Sequence, residues 1–122
     1  IVACAPADRH EIGALMLAVA LRRAGFAVYF LGADTPVADL VEMANAVEPV
    51  AVLISALLPE SVARMQQERA DLAALAPLVV FGGQAFEHQP EAARSLGGEF
   101  LGNDLRTIAE RLAERLERVS AP

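Results

Sequence analysis

The chain contains no lysine and no tryptophan, a single cysteine and a single tyrosine, and all of its basic residues are arginine. Without lysine there is no P-loop, whose phosphate grip needs that side chain, and a phosphoacceptor receiver domain, which normally carries a lysine after its last strand, is set aside as well. Cys4 alone excludes an internal disulfide; inside an apolar strand it reads as a small buried hydrophobe without chemistry. No apolar run approaches the roughly 18 residues of a membrane span, and no basic segment precedes a signal-cleavage pattern, so a soluble, cytoplasmic protein with no membrane contact is expected. Positive charge is short too: 10 Lys and Arg face 16 Asp and Glu, for a net charge of −6. That balance argues against a grip on nucleic-acid phosphates, and any DNA contact has to come from another part of the parent protein.

What is present fits one domain of 122 residues, 55% apolar with much of that alanine. Ile1 to Cys4 reads as a strand buried on both faces, and the polar loop Ala7-Asp8-Arg9-His10 leads into a helix from Glu11 to Ala24 stopped by Gly25. Ile12, Leu15, Met16, Val19 and Leu21 recur in it at helical spacing. Phe26 to Leu31 is a second strand, and Pro36 opens a helix with Leu40, Val41, Ala44 and Val47 facing inward. Val50 to Ile54 is the most continuous apolar run, the mark of a central parallel strand. A helix from Pro59 carries Val62, Met65, Leu72 and Leu75; Leu78 to Phe81 is a fourth strand, broken at Gly82-Gly83. A short helix near Glu91 to Leu96 leads to a brief fifth strand, Glu99 to Leu101, and Leu105, Ile108, Leu112 and Leu116 form the apolar stripe of a final helix.

Strands alternating with helices predict a three-layer, flavodoxin-like α/β sandwich with a five-stranded parallel sheet in the order 2-1-3-4-5. The loop of His10, the loop of Ser55-Ala56-Leu57 and the Gly82-Gly83 turn then meet at one edge of the sheet, on either side of the crevice where such folds bind ligands.

The first loop admits two readings. Asp8 with Glu11 three residues on matches a helix-capping pair, which leaves His10 solvated. Alternatively His10 offers a neutral ring nitrogen to a metal while Asp8 receives the proton on the other nitrogen. No second metal-ligating residue stands at zinc-like spacing, so such a metal needs a macrocycle to supply its remaining ligands. Ser55 taken alone reads equally as a helix N-cap, Gly82-Gly83 as a plain turn, and His88 as a surface residue.

Asp8-x-His10-x-x-Gly13, Ser55-x-Leu57 and Gly82-Gly83, in register over essentially the whole chain, resemble the cobalamin-binding domain. The resemblance implies that the dimethylbenzimidazole tail of cobalamin leaves cobalt and runs into the sheet crevice, and that His10 replaces it as lower axial ligand. It further implies that Asp8 tunes His10, that Gly13 clears space for the tail, that Ser55 bonds the released benzimidazole nitrogen, and that Gly82 and Gly83 let backbone lie against the tail. Arg9, Ile12, Leu57 and Gln84 complete the expected cofactor-binding set. Methyl-carrier corrinoid proteins usually read Gly-Asp-x-His-Asp-x-Gly-Lys-Asn at the first motif, which is half met here. His10-Glu11-Ile12-Gly13, Leu31-Gly32-Ala33-Asp34-Thr35-Pro36 and Phe81-Gly82-Gly83-Gln84 look more like the C-terminal domains of MerR-type, light-responsive regulators that use adenosylcobalamin, although those often have Glu at the place of Asp8. The expectation is therefore a non-catalytic sensor module of a transcription regulator, holding adenosylcobalamin more readily than methylcobalamin. Its parent chain would add an upstream helical bundle and a DNA-binding domain, and would form homo-oligomers. A corrinoid methyl carrier is the alternative, and a flavodoxin-like domain for another nucleotide or a protein partner is a weaker one.

Overall fold

The computed structural model describes residues 1–120 as a parallel sheet between two layers of helices. In chain order the elements are β1 (Val2–Cys4), α1 (Ile12–Arg23), β2 (Phe30–Gly32), α2 (Val37–Val47), β3 (Ala51–Ser55), α3 (Pro59–Gln66), α4 (Arg69–Ala73), β4 (Leu78–Gly82), α5 (Gln84–His88), α6 (Glu91–Ser95) and α7 (Ile108–Ser120). The sheet runs β2-β1-β3-β4 with every pairing parallel. Successive strand residues point to opposite faces, so each strand feeds two cores. Ala3, Val52, Ile54, Val79 and Phe81 pack under α2 to α6, while Val2, Cys4, Leu53 and Val80 pack under α1 and α7.

The sheet has four strands among the described residues, not the expected five. Glu99 still lies beside β4, giving its N–H to Val79 O at 2.9 Å and accepting from Phe81 N at 2.8 Å, but this is a single bridge. Glycines limit it: Gly97 and Gly102 have φ of 84° and 88°, and the Leu101 carbonyl is taken by Arg111 Nη1 at 2.8 Å instead of by a ladder. β2 is likewise shorter than Phe26 to Leu31, because Arg22 Nη2 occupies the Val28 carbonyl at 2.6 Å and the register shifts between Val2 and Ala3. The helix expected from Pro59 to Leu75 divides at Glu68, yet Met65 and Leu72 reach the same core. α5 was not foreseen; it buries Phe86 against Phe81, ring centroids 5.4 Å apart.

The face of α1 is the largest departure. Ala14, Ala18 and Leu21 meet the sheet, whereas Ile12, Leu15, Met16 and Val19 are 73%, 46%, 52% and 43% exposed. Alanines let the helix sit close to β1 and β3, and the larger side chains turn outward. No helix among the described residues is long and apolar enough to cross a membrane.

Candidate functional site

Parallel strands that end level bring their following loops together. Ser55 is paired with Cys4 on one side and with Gly82 on the other, so β1, β3 and β4 finish in line. Backbone bonds then stitch the loops: Ala5 N to Ser55 O at 2.9 Å, Ala56 N to Gly82 O at 2.9 Å, and Ala85 N to Ala56 O at 3.1 Å.

Asp8 is the pivot of the first loop. Its side chain is 1% exposed, and its carboxylate accepts from Leu57 N at 2.6 Å and from His10 N at 3.0 Å. The same Oδ1 lies 3.0 Å from His10 Nδ1. Burial alone would push the Asp8 carboxyl up, but the Leu57 and His10 bonds outweigh it and hold it below the usual carboxylate range. In a neutral ring, a carboxylate at Nδ1 favours the tautomer with the proton on Nδ1, which leaves the lone pair on Nε2. Nε2 makes no bond to the described residues, and the imidazole is 53% exposed.

The capping pair does not form. The N-cap of α1 is Glu11, without a side-chain cap bond, and Glu11 Oε2 accepts from Ala33 N at 3.0 Å. Asp34 reinforces the loop from the same side: its N–H donates to Asp8 O at 2.7 Å and its Oδ1 accepts from Ala7 N at 2.6 Å. Ala7 itself holds a left-handed φ of 65°. Arg9 is solvated, 3.8 Å from Asp34. Cys4 is fully buried beneath the loop, where burial, with Asp8 and Glu11, pushes its thiol up to about 11.

Beside this loop a cavity of about 330 Å³ opens between α1, the ends of β3 and β4, and the segment leading into α7. Leu17, Leu53, Val80, Leu105 and Ile108 make it mostly apolar, and Gly13, Ser55, Gly82, Gly83 and Gln84 stand at its wall. A shallower groove lined by Arg9, His10, Ile12 and Leu57 shares Gly13, Ser55, Gly83 and Gln84 with it. The two hollows together gather nine of the expected site residues, and Asp8 lies buried just behind them. Ser55 is not a helix N-cap, since that position of α3 falls on Leu58. His88 is exposed at the end of α5, apart from both hollows.

The three glycines differ in why they are glycine. A Cβ on Gly13 would meet nothing within 4 Å, so the space there is open to a ligand. On Gly83 it would lie 2.3 Å from Ala56 O, at a φ of 95°. The fold itself therefore requires Gly83, whatever lies in the crevice. On Gly82 it would come 3.3 Å from Asn103 Oδ1. Asn103 was not anticipated; only the fold brings it to Gly83, 20 positions earlier. Among the described residues no group of three or more His, Cys, Asp or Glu could hold a metal ion. A metal at His10 must bring its other ligands.

Comparison with known proteins gives the family and the fold. Residues 1–114 match the B12 binding domain family. The chain is 37% identical over 112 residues to the HTH-type transcriptional repressor CarA of Myxococcus xanthus, which covers 89% of this chain and 38% of the repressor. Two solved structures share the fold: a cobalamin-binding protein from Desulfitobacterium hafniense DCB-2 (TM-score 0.80, 24% identity, 93% of this chain and 56% of that one) and the monomethylamine corrinoid protein of Methanosarcina barkeri (TM-score 0.81, 23% identity, 93% and 55%). The chain thus spans between 38% and 56% of the length of these relatives.

Proposed function

The chain belongs to the B12-binding domain family, and from that premise we propose that it is the cobalamin-sensing module of a transcription regulator, with His10 as the protein ligand to cobalt. The observation that carries this reading is the pairing of Asp8 with His10 Nδ1, with His10 lining the groove that shares Gly13, Ser55, Gly83 and Gln84 with the apolar cavity. In the neutral ring it leaves the lone pair on Nε2 of a half-exposed imidazole, and a single donor suits a metal whose other ligands come from a corrin.

The residues present fit the group. His10 would hold cobalt, and Asp8 would keep the proton on Nδ1 and so raise the basicity of Nε2. The cavity beside Gly13 would take the nucleotide tail, whose flat apolar base suits Leu17, Leu53, Val80 and Ile108. Ser55, on the wall of both hollows, would give the tail's ring nitrogen a hydrogen bond that it otherwise loses on burial. Arg9, Ile12, Leu57, Gly82, Gly83 and Gln84 would border the corrin and the tail. Cobalamin supplies the reactive bond between cobalt and its upper ligand, a property of the cofactor; the chain's share is binding and orientation.

A regulator rather than a methyl carrier is supported by where the sequence likeness lies. The repressor matches 89% of the chain at 37% identity, whereas the likeness to the corrinoid protein is one of fold. On this reading adenosylcobalamin is the form sensed, the domain is not itself an enzyme, and DNA contact, an upper helical cover and oligomer formation belong to the rest of the parent protein. The net charge of −6 suits that division.

The test is a visible absorption titration with adenosylcobalamin. Wild type should give a base-off, histidine-on spectrum, and His10→Ala should lose the histidine signature while its circular dichroism stays that of the folded chain. A spectrum unchanged in His10→Ala would remove the residue from cobalt.

A further inference from the structure

Asn103 stands outside every sequence motif, yet its carboxamide bonds both the N–H and the C=O of one residue of the crevice. Gly83 N donates to Asn103 Oδ1 at 2.8 Å, and Asn103 Nδ2 donates to Gly83 O at 3.0 Å. A side-chain amide that accepts from and donates to the same residue copies a two-bond antiparallel pairing, so it fixes the distance and the orientation of that residue's backbone together. Gly83 is already wedged against Ala56 on its other side. Asn103 is in turn anchored from both directions along the chain: Arg111 holds the Leu101 carbonyl at 2.8 Å, and Asp104 O accepts from Thr107 N and Ile108 N. Asn103 and Gly83 both line the cavity.

We propose that Asn103 is a positioning residue that joins the segment entering α7 to the Gly82-Gly83 turn, and thereby sets the width of the cavity for a corrinoid carrying a nucleotide tail over one that lacks it. The inference rests on the reading above that the cavity takes the tail. It differs from a general stabilising role in one measurable way. A clamp that shapes chiefly the tail's cavity should matter far more for a tailed corrinoid than for a tailless one, because Asn103 lines that cavity and not the His10 groove, which shares only Gly83 of the clamped pair.

The experiment is a pair of absorption titrations, with hydroxocobalamin and with aquocobinamide, the corrin without its nucleotide. Wild type should bind hydroxocobalamin more tightly than aquocobinamide. Asn103→Ala removes both bonds and should weaken hydroxocobalamin about 10-fold, the loss expected for two modest, partly solvated hydrogen bonds, while aquocobinamide changes less than about 2-fold by the same reasoning. Asn103→Asp keeps the acceptor for Gly83 N but turns a carboxylate oxygen toward Gly83 O, so at neutral pH it should do no better than the alanine variant. Equal weakening of both corrinoids, or no weakening of either, would overturn the proposal. Equal affinity of wild type for the two corrinoids would overturn the tail reading itself, and would be seen before any variant is made.

Discussion

Replacing Asp8 by asparagine tests the centre of the site with almost no change in shape. One oxygen can still accept from His10, but the new NH₂ then faces the Leu57 N–H across what was a 2.6 Å bond. Two donors meet in a place where the side chain is 1% exposed, so neither finds water. Losing a charge-assisted bond and leaving a buried donor unpaired costs about 2–3 kcal/mol, which for a domain of this size lowers Tm by roughly 6–15 °C. The sign of the pH dependence follows from the folded-state pKa of Asp8, which lies below the ordinary value. The unfolded chain then takes up the proton first as pH falls. The carboxylate's stabilisation is complete above the unfolded pKa of about 4 and disappears as pH drops through the folded value. Thermal melts of wild type and Asp8→Asn at pH 7 should therefore differ most, and the gap should narrow steadily in acid. A variant melting within about 1 °C of wild type at pH 7, too little for even one lost hydrogen bond, would show that the Leu57 and His10 contacts do not hold the loop. Cobalamin affinity should fall about 10 to 100-fold in the same variant, the scale for losing a partner that orients a metal-bound histidine.

Two glycines should answer oppositely. Gly83→Ala forces a Cβ into Ala56 O at a positive φ and should destabilise the ligand-free protein by about 2–4 kcal/mol in urea unfolding. Gly13→Val enters open space, so ligand-free stability should stay within about 1 kcal/mol of wild type, while cobalamin binding is lost in an absorption titration; retention of binding would take the tail away from α1. Cys4, fully buried with its thiol pushed up to about 11, should resist aromatic disulfide reagents at pH 8 until denaturant unfolds the chain.

The sequence made three of the strands and their loops legible because the apolar run gives out at or beside a glycine or a proline. Gly82, Pro6 and Gly32 mark where β4, β1 and β2 give out, so the meeting of the His10, Ser55 and Gly82 loops followed from a parallel sheet alone. The orientation of α1 was not legible. Period 3.6 gives the phase of the large side chains, but alanine is silent in that pattern, and here Ala14 and Ala18 meet the sheet while Ile12 and Met16 face water. The fifth strand failed for a related reason: Glu99 to Leu101 has strand composition, but whether it pairs along its length depends on Arg111, ten positions away, taking a carbonyl. Asn103 was hidden because its partner is a backbone peptide, and no side-chain pattern announces a contact of that kind.

The loop bearing His10 is tied down by the protein alone: Asp8 to Leu57, Ala7 to Asp34, Asp34 to the Asp8 carbonyl, Glu11 to Ala33. The entropy of ordering it is therefore lost during folding and is not charged to the encounter with a ligand. In kinetic terms, capture needs no slow loop closure as a first step. Differences in affinity among ligands, or among variants of this loop, are then expressed chiefly in how long a ligand stays, and only weakly in how fast it arrives.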